Sequence, residues 1–339
     1  MTRFPDYYGQ FRCLAGACPH TCCAEWEVVL DEATAARYRT VAGPLGEKLR
    51  RAMTELDGET CFALQGGRCP FLDGDGLCEI HRQLGRDATS ETCRSHPRFM
   101  EEYGQLREIT LSASCPEANR LLLASAAPLT FPAEGGGEVP QDDAPLFALR
   151  EACLALLSDR RRSLKSRLAW LLALANEAQA ALDDGDDGAL FTLAAAAAEL
   201  PAQPQVAAEG EGELFPAALE VLGELEVLGG DWTALLAWGR TAPPPDLEAN
   251  APALERICAY FLFRWLCKAV NDGDILSRME LAVLGTLTAA RLGAAAGIGE
   301  ALRLFSREVE HSGENLEALQ DAFCFDERLS LGRFFRELT

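Results

Sequence analysis

The chain has 339 residues, of which 48% are hydrophobic and 24% are charged, enough apolar side chains for a sizeable buried core. Its formal net charge of −21 argues against a nucleic-acid partner, because affinity for phosphates depends on lysine and arginine contacts. Residues 126–250 hold 21 Asp and Glu but only 7 Lys and Arg. We interpret this acidic middle as a solvated surface, with attraction of a basic protein as the alternative.

Nine of the thirteen cysteines fall within the first 115 residues. The N-terminus lacks an apolar signal segment, and no apolar run approaches the ~20 residues of a membrane span. We therefore expect a cytoplasmic protein with no membrane partner, in which thiols stay reduced and a dense cysteine series binds metal. The predicted ligands are Cys13, Cys18, Cys22, Cys23, Cys69, Cys78, Cys93 and Cys115. The remaining cysteines are predicted to pack in the interior: Cys61, Cys153, Cys258, Cys267 and Cys324.

Residues 1–125 are predicted to form an irregular cysteine-rich metal-binding region. Its elements are a short strand or helix entry at 28–30, a helix over 31–38 that Asp31 caps, and a helix over 45–56. Glycine-rich turn signals at 66–68 and 73–76 predict a hairpin-like unit with Cys69 and Cys78 at its ends.

Residues 126–147 are rich in proline, glycine and acids, and are predicted to form a linker. Residues 148–339 are predicted to form a helical domain. Its helices are expected at 149–181, 189–200, 215–227, 232–238, 254–270, 276–292 and 297–309. The predicted fold is mainly α, with the cysteine-rich N-terminal region packed on a helical C-terminal body.

Four thiolates are enough for either tetrahedral zinc or a [4Fe–4S] cluster. The spacing lacks the paired Cys-x2-Cys knuckles of common zinc folds, so it favours an iron–sulfur cluster, with zinc as the alternative metal. Adjacent residues point in different directions in most backbones, so we expect that Cys22 and Cys23 do not both bind one metal atom. His20, His81 and His96 lie near cysteines and are alternative ligands.

An ordered series of motifs resembles the flagellin lysine-N-methylase family, the FliB proteins, within the wider CxxCxxCC group of iron- or zinc-chelating proteins. The resemblance extends over roughly residues 7–320. A C-terminal segment, residues 306–311, is similar to the family's Ser-Arg-x-x-Glu-His element, although Ser312 stands where Asn usually follows. The N-terminal motifs are Phe11-Arg12-Cys13, Cys18, Thr21-Cys22-Cys23, Trp26, Cys69-Pro70-Phe71-Leu72, Asp75-Gly76-Leu77-Cys78, Thr92-Cys93-Arg94, Pro97-Arg98 and Ser114-Cys115-Pro116-Glu117.

The resemblance implies a protein-lysine N-methyltransferase that transfers a methyl group from S-adenosylmethionine to surface lysines of flagellin and carries a [4Fe–4S] cluster. One alternative is a metal-binding or redox accessory protein of the same chelating family without transferase activity. Another is a methylase that acts on a different lysine-rich protein.

A lysine amine is protonated at neutral pH and becomes a nucleophile only after losing its proton. Glu310 and His311 are our candidates for positioning and deprotonating it. Helical spacing places Arg307 on the same face as both residues. The alternative is a buried structural ion pair at a helix end.

Candidate contacts to the methyl donor include Arg307 and the aromatic helix around Tyr260 and Arg264, which is similar to a helix of the family. Arg94 and Arg98 flank Pro97. They would bind the donor's carboxylate or, as we favour, neutralise the thiolates.

Overall fold

A computed structural model describes residues 1–24, 28–56, 58–204 and 213–339. Trp26 of the predicted motif series and the acidic loop segment 205–212 lie outside the described residues. The described chain is mainly helical, which confirms the predicted fold class.

The N-terminal third combines short helices with short strands. Its helices are α1 (Glu32–Thr40), α2 (Gly43–Ala52), α3 (Glu79–Leu84), α4 (Glu91–Ser95) and α5 (Pro116–Leu123). The strands are β1 (Thr2–Arg3), β2 (Val28–Val29), β3 (Met53–Leu56), β4 (Glu59–Phe62), β5 (Arg98–Tyr103), β6 (Leu106–Leu111) and β7 (Ala133–Glu134).

Asp31 caps α1 as predicted, because its carboxylate accepts a hydrogen bond from the N–H of Thr34. The predicted helix over 45–56 is wrong in its second part. The helix ends at Ala52, and residues 53–56 form β3, which pairs antiparallel with β4. Gly58, with φ of +83°, permits the tight reversal between these strands.

The strands form two small sheets, ordered β2-β4-β3 and β5-β6-β1-β7. Sequence analysis did not predict the β5–β6 hairpin, in which Tyr103 faces Leu106 across a tight turn that contains Gly104. The segment predicted as a linker contributes β7, which pairs with the N-terminal strand β1. This segment therefore helps to close the second sheet as well as connecting the two regions.

The C-terminal region is helical, as predicted. Its helices are α6 (Ala144–Leu157), α7 (Leu164–Asp183), α8 (Ala189–Ala196), α9 (Leu214–Glu224), α10 (Gly230–Gly239), α11 (Ala251–Trp265), α12 (Leu276–Ala296), α13 (Ile298–Phe305), α14 (Gly313–Phe325) and α15 (Leu331–Leu338). The single helix predicted over 149–181 is in fact two helices, α6 and α7. The second begins after Ser163, whose hydroxyl caps it by accepting a hydrogen bond from the Ser166 N–H. Helices α14 and α15 were not predicted.

By length and composition alone, helix α12 could cross a membrane. However, 78% of its most apolar window is buried within the protein, where it packs against α11 and α13. Gly285 allows the close approach to α11, because a Cβ there would lie 2.8 Å from ring carbons of Phe261. We interpret α12 as the central helix of the core.

Among the residues that the structure describes, most buried apolar side chains belong to one of two separate cores. The larger core extends from Tyr7 to Leu338 and joins the helical body, the hairpin β5–β6 and the N-terminal segment up to Phe11. The smaller core lies within residues 28–88 and consists of Val28, Leu30, Ala35, Tyr38, Leu45, Leu49, Ala52, Phe62, Cys69, Phe71, Ile80 and Ala88.

A buried ion pair attaches the sheet to the helical body. Both carboxylate oxygens of Glu108, on β6, accept hydrogen bonds from Arg150 of α6, at 2.5 and 2.6 Å. The guanidinium lies 4.8 Å from the ring centres of both Phe147 and Phe263. Strand β6 is thereby held against the helices, and the loop that follows it leads into the candidate site.

Candidate functional site

The segment that resembles the Ser-Arg-x-x-Glu-His element forms a π-helical turn, Ser306–Glu310, at the end of α13. The predicted common face of Arg307, Glu310 and His311 is wrong, because a π-helical turn holds more residues than an α-helical one. The guanidinium of Arg307 points to Asp231, at 2.6 Å, and to Glu308. Glu310 instead faces the interior.

Glu310 is the centre of a buried hydrogen-bond network. Its carboxylate accepts from the Tyr260 hydroxyl at 3.0 Å, the Arg264 Nε at 2.8 Å and the Trp265 Nε1 at 2.9 Å. All three donors lie on α11, and Glu310 is only 4% exposed. The structure therefore brings together Tyr260, Arg264 and Glu310 of the predicted site and fixes the carboxylate in place.

His311 connects this network to the end of β6. Its Nε2 lies 2.8 Å from the Ser112 hydroxyl and 2.9 Å from the Ser114 hydroxyl, and its ring packs against Phe99 at 5.2 Å. Burial, followed by the charge of Arg264, lowers the pKa of His311 to about 4. The imidazole is therefore neutral at pH 7 and can accept a hydrogen bond, while the same burial makes it a weaker proton acceptor than an ordinary histidine.

Residues 112–119 join the buried network to the last cysteine of the series. The Ala113 N–H donates to the Tyr260 hydroxyl at 3.3 Å, and the Asn119 amide donates to the Ala113 carbonyl at 3.0 Å. Cys115 then precedes the first turn of α5. Ser114 is partly exposed, so its hydroxyl links His311 to the surface beside Cys115.

Four cysteines lie around the smaller core. The Cys69 N–H donates to the Cys23 carbonyl at 2.8 Å, and a bridge between Leu72 and Cys78 closes the hairpin-like unit that was predicted. Cys93 lies on α4, which the Thr92 hydroxyl ties to the Val29 carbonyl at 3.1 Å. Burial and the neighbouring thiols of Cys23, Cys93 and Cys78 raise the pKa of Cys69 to about 12.

Three further cysteines, Cys13, Cys18 and Cys115, lie in the N-terminal loop and immediately before α5. Burial raises the pKa of Cys115, and the nearby thiols of Cys18 and Cys13 add to this effect. The thiols of Cys22 and Cys23 are hydrogen-bonded to each other, so the expectation that these neighbours point apart is wrong. Vicinal side chains can meet here because the backbone forms a turn at these residues.

Cysteine thiolates are suitable ligands for zinc and for iron–sulfur clusters, so the donor chemistry of this region fits either group. In the described ranges, no group of three or more His, Cys, Asp or Glu side chains already has the arrangement that holds a metal ion. Metal binding would therefore require the thiols to turn from their present positions toward a common centre.

The other predicted residues are distributed around these clusters. Arg94 donates to the Thr89 carbonyl, and its charge opposes the rise in the pKa of Cys93 that burial causes. Its role toward the thiolates stays a prediction. The Arg98 Nε donates to the Tyr8 hydroxyl at 3.0 Å. Neither arginine reaches the Glu310 network through these contacts.

The cysteines outside the ligand series are mostly buried, as predicted. Cys61, Cys153, Cys258 and Cys267 are interior residues, but Cys324 is exposed near the end of α14. The prediction for Cys324 was wrong because this residue lies on an exposed face of α14. Of the three candidate histidine ligands, His20 and His81 are exposed, whereas His96 packs against His311 with ring centres 6.0 Å apart.

A groove of about 560 Å³ opens beside Cys18 and Cys115. Sequence reasoning did not anticipate it, although the Cys–Pro pairs at 18–19 and 115–116 mark two of its walls. Glu300 on α13 bonds Arg303 at 2.7 and 2.8 Å, and this contact holds the pKa of Glu300 below its usual range. The groove is lined by Pro19, His20, Pro116, Asn119, Arg120, Leu123, Ala124, Gly299, Glu300 and Arg303.

Comparison with known proteins agrees with these observations. A family model of the CxxCxxCC type, described as "Putative zinc- or iron-chelating domain", matches residues 12–115. The chain is 33% identical over 127 residues to the flagellar biosynthetic protein FliU of Salmonella muenchen, a match that covers 35% of this chain and 75% of that protein. The chain is thus a protein with an N-terminal CxxCxxCC domain and a helical body.

The Lysine-N-methylases of Salmonella typhimurium and Salmonella choleraesuis are each 30% identical to the chain over 210 residues. These matches cover 58% of this chain and 52% of each relative, so the chain spans about half the length of these curated relatives. The chain belongs to the lysine-N-methylase (FliB) family, as the sequence motifs predicted. No solved structure matches the chain.

Proposed function

We propose that this chain is a protein-lysine N-methyltransferase that acts on flagellin, with S-adenosylmethionine as donor and a thiolate-bound metal group. The main observation behind this proposal is that His311, next to the buried carboxylate of Glu310, contacts Ser112 and Ser114, which lie just before Cys115. The similarity to proteins named Lysine-N-methylase supports the reaction class, and the similarity to the flagellar biosynthetic protein FliU supports a flagellar substrate.

In this reaction the donor supplies an electrophilic methyl group. A bond forms between the lysine nitrogen and the methyl carbon while the carbon–sulfur bond breaks, and S-adenosylhomocysteine leaves. The amine loses its proton before transfer, because a lysine ammonium has no free electron pair. This chain must therefore bind the lysine, remove it from bulk water and offer its proton an acceptor.

The groove beside Cys18 and Cys115 is our proposed lysine and donor site. Its volume of about 560 Å³ suits a small-molecule ligand. Its wall carries the Glu300–Arg303 ion pair, whose charged groups would contact the polar part of a bound donor. Ser114 would hydrogen-bond the amine and connect it to neutral His311, and Glu310 would fix the neighbouring groups through Tyr260 and Arg264.

The metal group would be held by thiolates of the cysteine series, with a [4Fe–4S] cluster or zinc as the alternatives. Thiolate ligands suit both groups. When bound, the metal group would order the irregular N-terminal loops around the groove.

The test is incubation of the anaerobically purified, metal-loaded protein with methyl-labelled S-adenosylmethionine and flagellin. We expect label on flagellin lysines, a loss of roughly 10²-fold or more in kcat for His311→Gln, and little change for the exposed control Arg161→Gln. Absence of label on lysine with the loaded protein would reject the proposal.

A second candidate is a metal-binding or redox accessory protein without transferase activity. It is favoured by the saturation of the Glu310 carboxylate, which accepts from three donors and is held as a structural group would be. Calorimetry with S-adenosylmethionine separates the two, since an accessory protein should give no binding heat. The acidic middle of the chain favours a third candidate, methylation of another lysine-rich protein, which should then be labelled in preference to flagellin.

A further inference from the structure

The groove beside Cys18 and Cys115 is lined by a buried amide whose orientation the structure fixes. Asn119, on α5, is only 5% exposed, and its Nδ2 donates to the carbonyls of Ala113 and Gly299, both at 3.0 Å. A carbonyl oxygen only accepts hydrogen bonds, so the amide nitrogen must face these two groups and the amide oxygen must face away from them. Among the described residues no donor reaches Oδ1, which is left as an acceptor.

Gly299 shows where this oxygen lies. Asn119 and Gly299 both line the groove. A Cβ at position 299 would lie 3.1 Å from the Asn119 Oδ1 and 3.4 Å from a methyl carbon of Leu123. Because glycine carries no Cβ, the oxygen stays uncovered on the side of α13 that borders the groove. The acceptor is therefore open to a ligand that carries an N–H group.

Arg303 adds a donor on the same helix. It lines the groove and is 5% exposed, and its Nε and Nη2 donate to Glu300 at 2.8 and 2.7 Å. In the part of the chain that the structure describes, its Nη1 has no hydrogen-bond partner. Residues four apart share a helix face, with Cβ positions about 5–6 Å apart, so Arg303 lies one turn from Gly299. The groove thus combines an uncommitted donor with an uncommitted acceptor.

The rest of the lining supplies a negative charge and an apolar wall. An ionised carboxylate can accept about four hydrogen bonds, and Arg303 uses two of those of Glu300. Pro19, Pro116 and Leu123 provide the apolar surface. A ligand that complements this set has a cationic N–H group and an anionic acceptor close together, followed by an apolar part. An α-amino acid group, with ammonium and carboxylate on one carbon, has this form.

We propose that the groove binds the α-amino acid group of its ligand, with the ammonium on the Asn119 Oδ1 and Glu300 and the carboxylate on the Arg303 Nη1. This inference rests on the proposed function, in which that group is the methionine part of S-adenosylmethionine. Asn119 also bonds the Ala113 carbonyl, and the Ala113 N–H donates to Tyr260. The bound amino acid group would therefore lie one peptide unit from the Glu310 network.

A pair of related ligands provides the first test. Calorimetry of the anaerobically purified, metal-loaded full chain compares S-adenosylhomocysteine with methylthioadenosine, which keeps the nucleoside and the sulfur but has no amino acid group. We expect S-adenosylhomocysteine to bind at least about 10-fold more tightly, because it alone makes the charge-assisted hydrogen bonds. Equal affinities, or no binding of S-adenosylhomocysteine, would overturn the proposal.

Gly299→Ala covers the acceptor without removing either N–H bond of Asn119. Alanine is also the better helix former, so the fold should be retained. We expect S-adenosylhomocysteine to bind about 10-fold more weakly and methylthioadenosine to bind as before. The matched control is Gly230→Ala at the first residue of α10, where a Cβ would meet nothing within 4 Å and binding should not change. Unchanged binding of S-adenosylhomocysteine to Gly299→Ala would contradict the assignment of Asn119.

Arg303→Lys tests the carboxylate contact. Lysine keeps the positive charge beside Glu300 but lacks the planar fork that offers Nη1 separately. The variant should bind S-adenosylhomocysteine more weakly, whereas decarboxylated S-adenosylmethionine, which has no carboxylate, should lose no affinity. Equal losses for both ligands would overturn the assignment.

Methyl transfer to flagellin is measured separately on the same preparations. Label on flagellin together with unchanged donor binding in Gly299→Ala would reject this inference and leave the proposed function standing. Weaker binding in Gly299→Ala without any label would support this inference and reject methyl transfer.

Discussion

At the level of single residues, the network around Glu310 shows how the interior accommodates charge. The carboxylate is buried against the Arg264 guanidinium and two further donors, so both of its oxygens accept hydrogen bonds. The same contacts raise the pKa of Tyr260 well above its usual value, through burial first and then the charge of Glu310. Tyr260 therefore remains a hydrogen-bond donor at any working pH.

His311 should make the stability of the protein depend on pH. Its folded-state pKa of about 4 lies below the unfolded value of about 6.5, so the unfolded chain binds the extra proton between these values. The contribution of neutral His311 is thus present above about pH 6.5 and is lost as the pH falls toward 4. Chemical denaturation between pH 4.5 and 7.5 should show this fall.

The matched variants for this prediction are His311→Gln and His81→Gln. The first should flatten the pH dependence of the free energy of unfolding, and the second, at an exposed position, should not. If the slope of the unfolding free energy against pH is the same in His311→Gln as in the unmodified protein, then His311 titrates at its ordinary pKa.

At the level of elements, the ion pair between β6 and α6 is the contact that positions the loop of Ser112 and Ser114. Arg150 is fully buried and Glu108 is 3% exposed. Substituting Arg150 by Leu would remove both short hydrogen bonds to buried Glu108 and leave it with Arg3, whose Nη1 lies 3.6 Å away. Breaking a buried pair costs about 3–5 kcal/mol, and we expect a loss toward the lower end of that range. Urea denaturation of Arg150→Leu should show this loss.

The double variant Glu108→Leu/Arg150→Leu should recover much of the loss, since neither charge is then left without a partner. Arg161→Leu, which removes a surface arginine paired with Asp159, should leave the stability nearly unchanged. A small effect of Arg150→Leu alone would mean that water reaches Glu108.

At the level of the whole molecule, the two cores differ in size and in their need for support. The larger core contains long helices such as α7 and α12, whereas the smaller core is built from α1, α2 and short strands. Small folds with few buried apolar side chains usually depend on a metal or disulfide. We therefore expect the smaller core to depend on metal and the larger core to be stable without it.

Hydrogen–deuterium exchange before and after metal removal tests this expectation. Chelation should increase exchange in residues 28–88 while the amides of α11 and α12 remain protected, because the two cores do not share buried side chains. Equal loss of protection in both regions would show that the cores unfold as one unit.

The elements that were predicted correctly are those with strong signals in neighbouring residues. Apolar spacing predicted α11 and α12, and a side-chain cap predicted the start of α1, because these signals lie within a few residues of one another. Strand β7 was missed because its partner, β1, lies far away in the chain. Strand β3 was missed because residues 53–56 were predicted to continue the preceding helix, although they pair locally with β4. The π-helical turn was missed because the spacing of residues 306–311 is equally compatible with an α-helix.

The sequence alone determined the fold class, the family and the eight-cysteine series, because these depend on composition and on motifs that are continuous in the chain. Only the tertiary structure decided which residues meet. It separated Arg307 from Glu310, and it brought α11 and the Ser112–Ser114 loop together around Glu310 and His311. It also placed Cys69 in the smaller core and Cys115 against the larger one. Such contacts join residues up to about 200 positions apart, and their geometry depends on packing that no local pattern records.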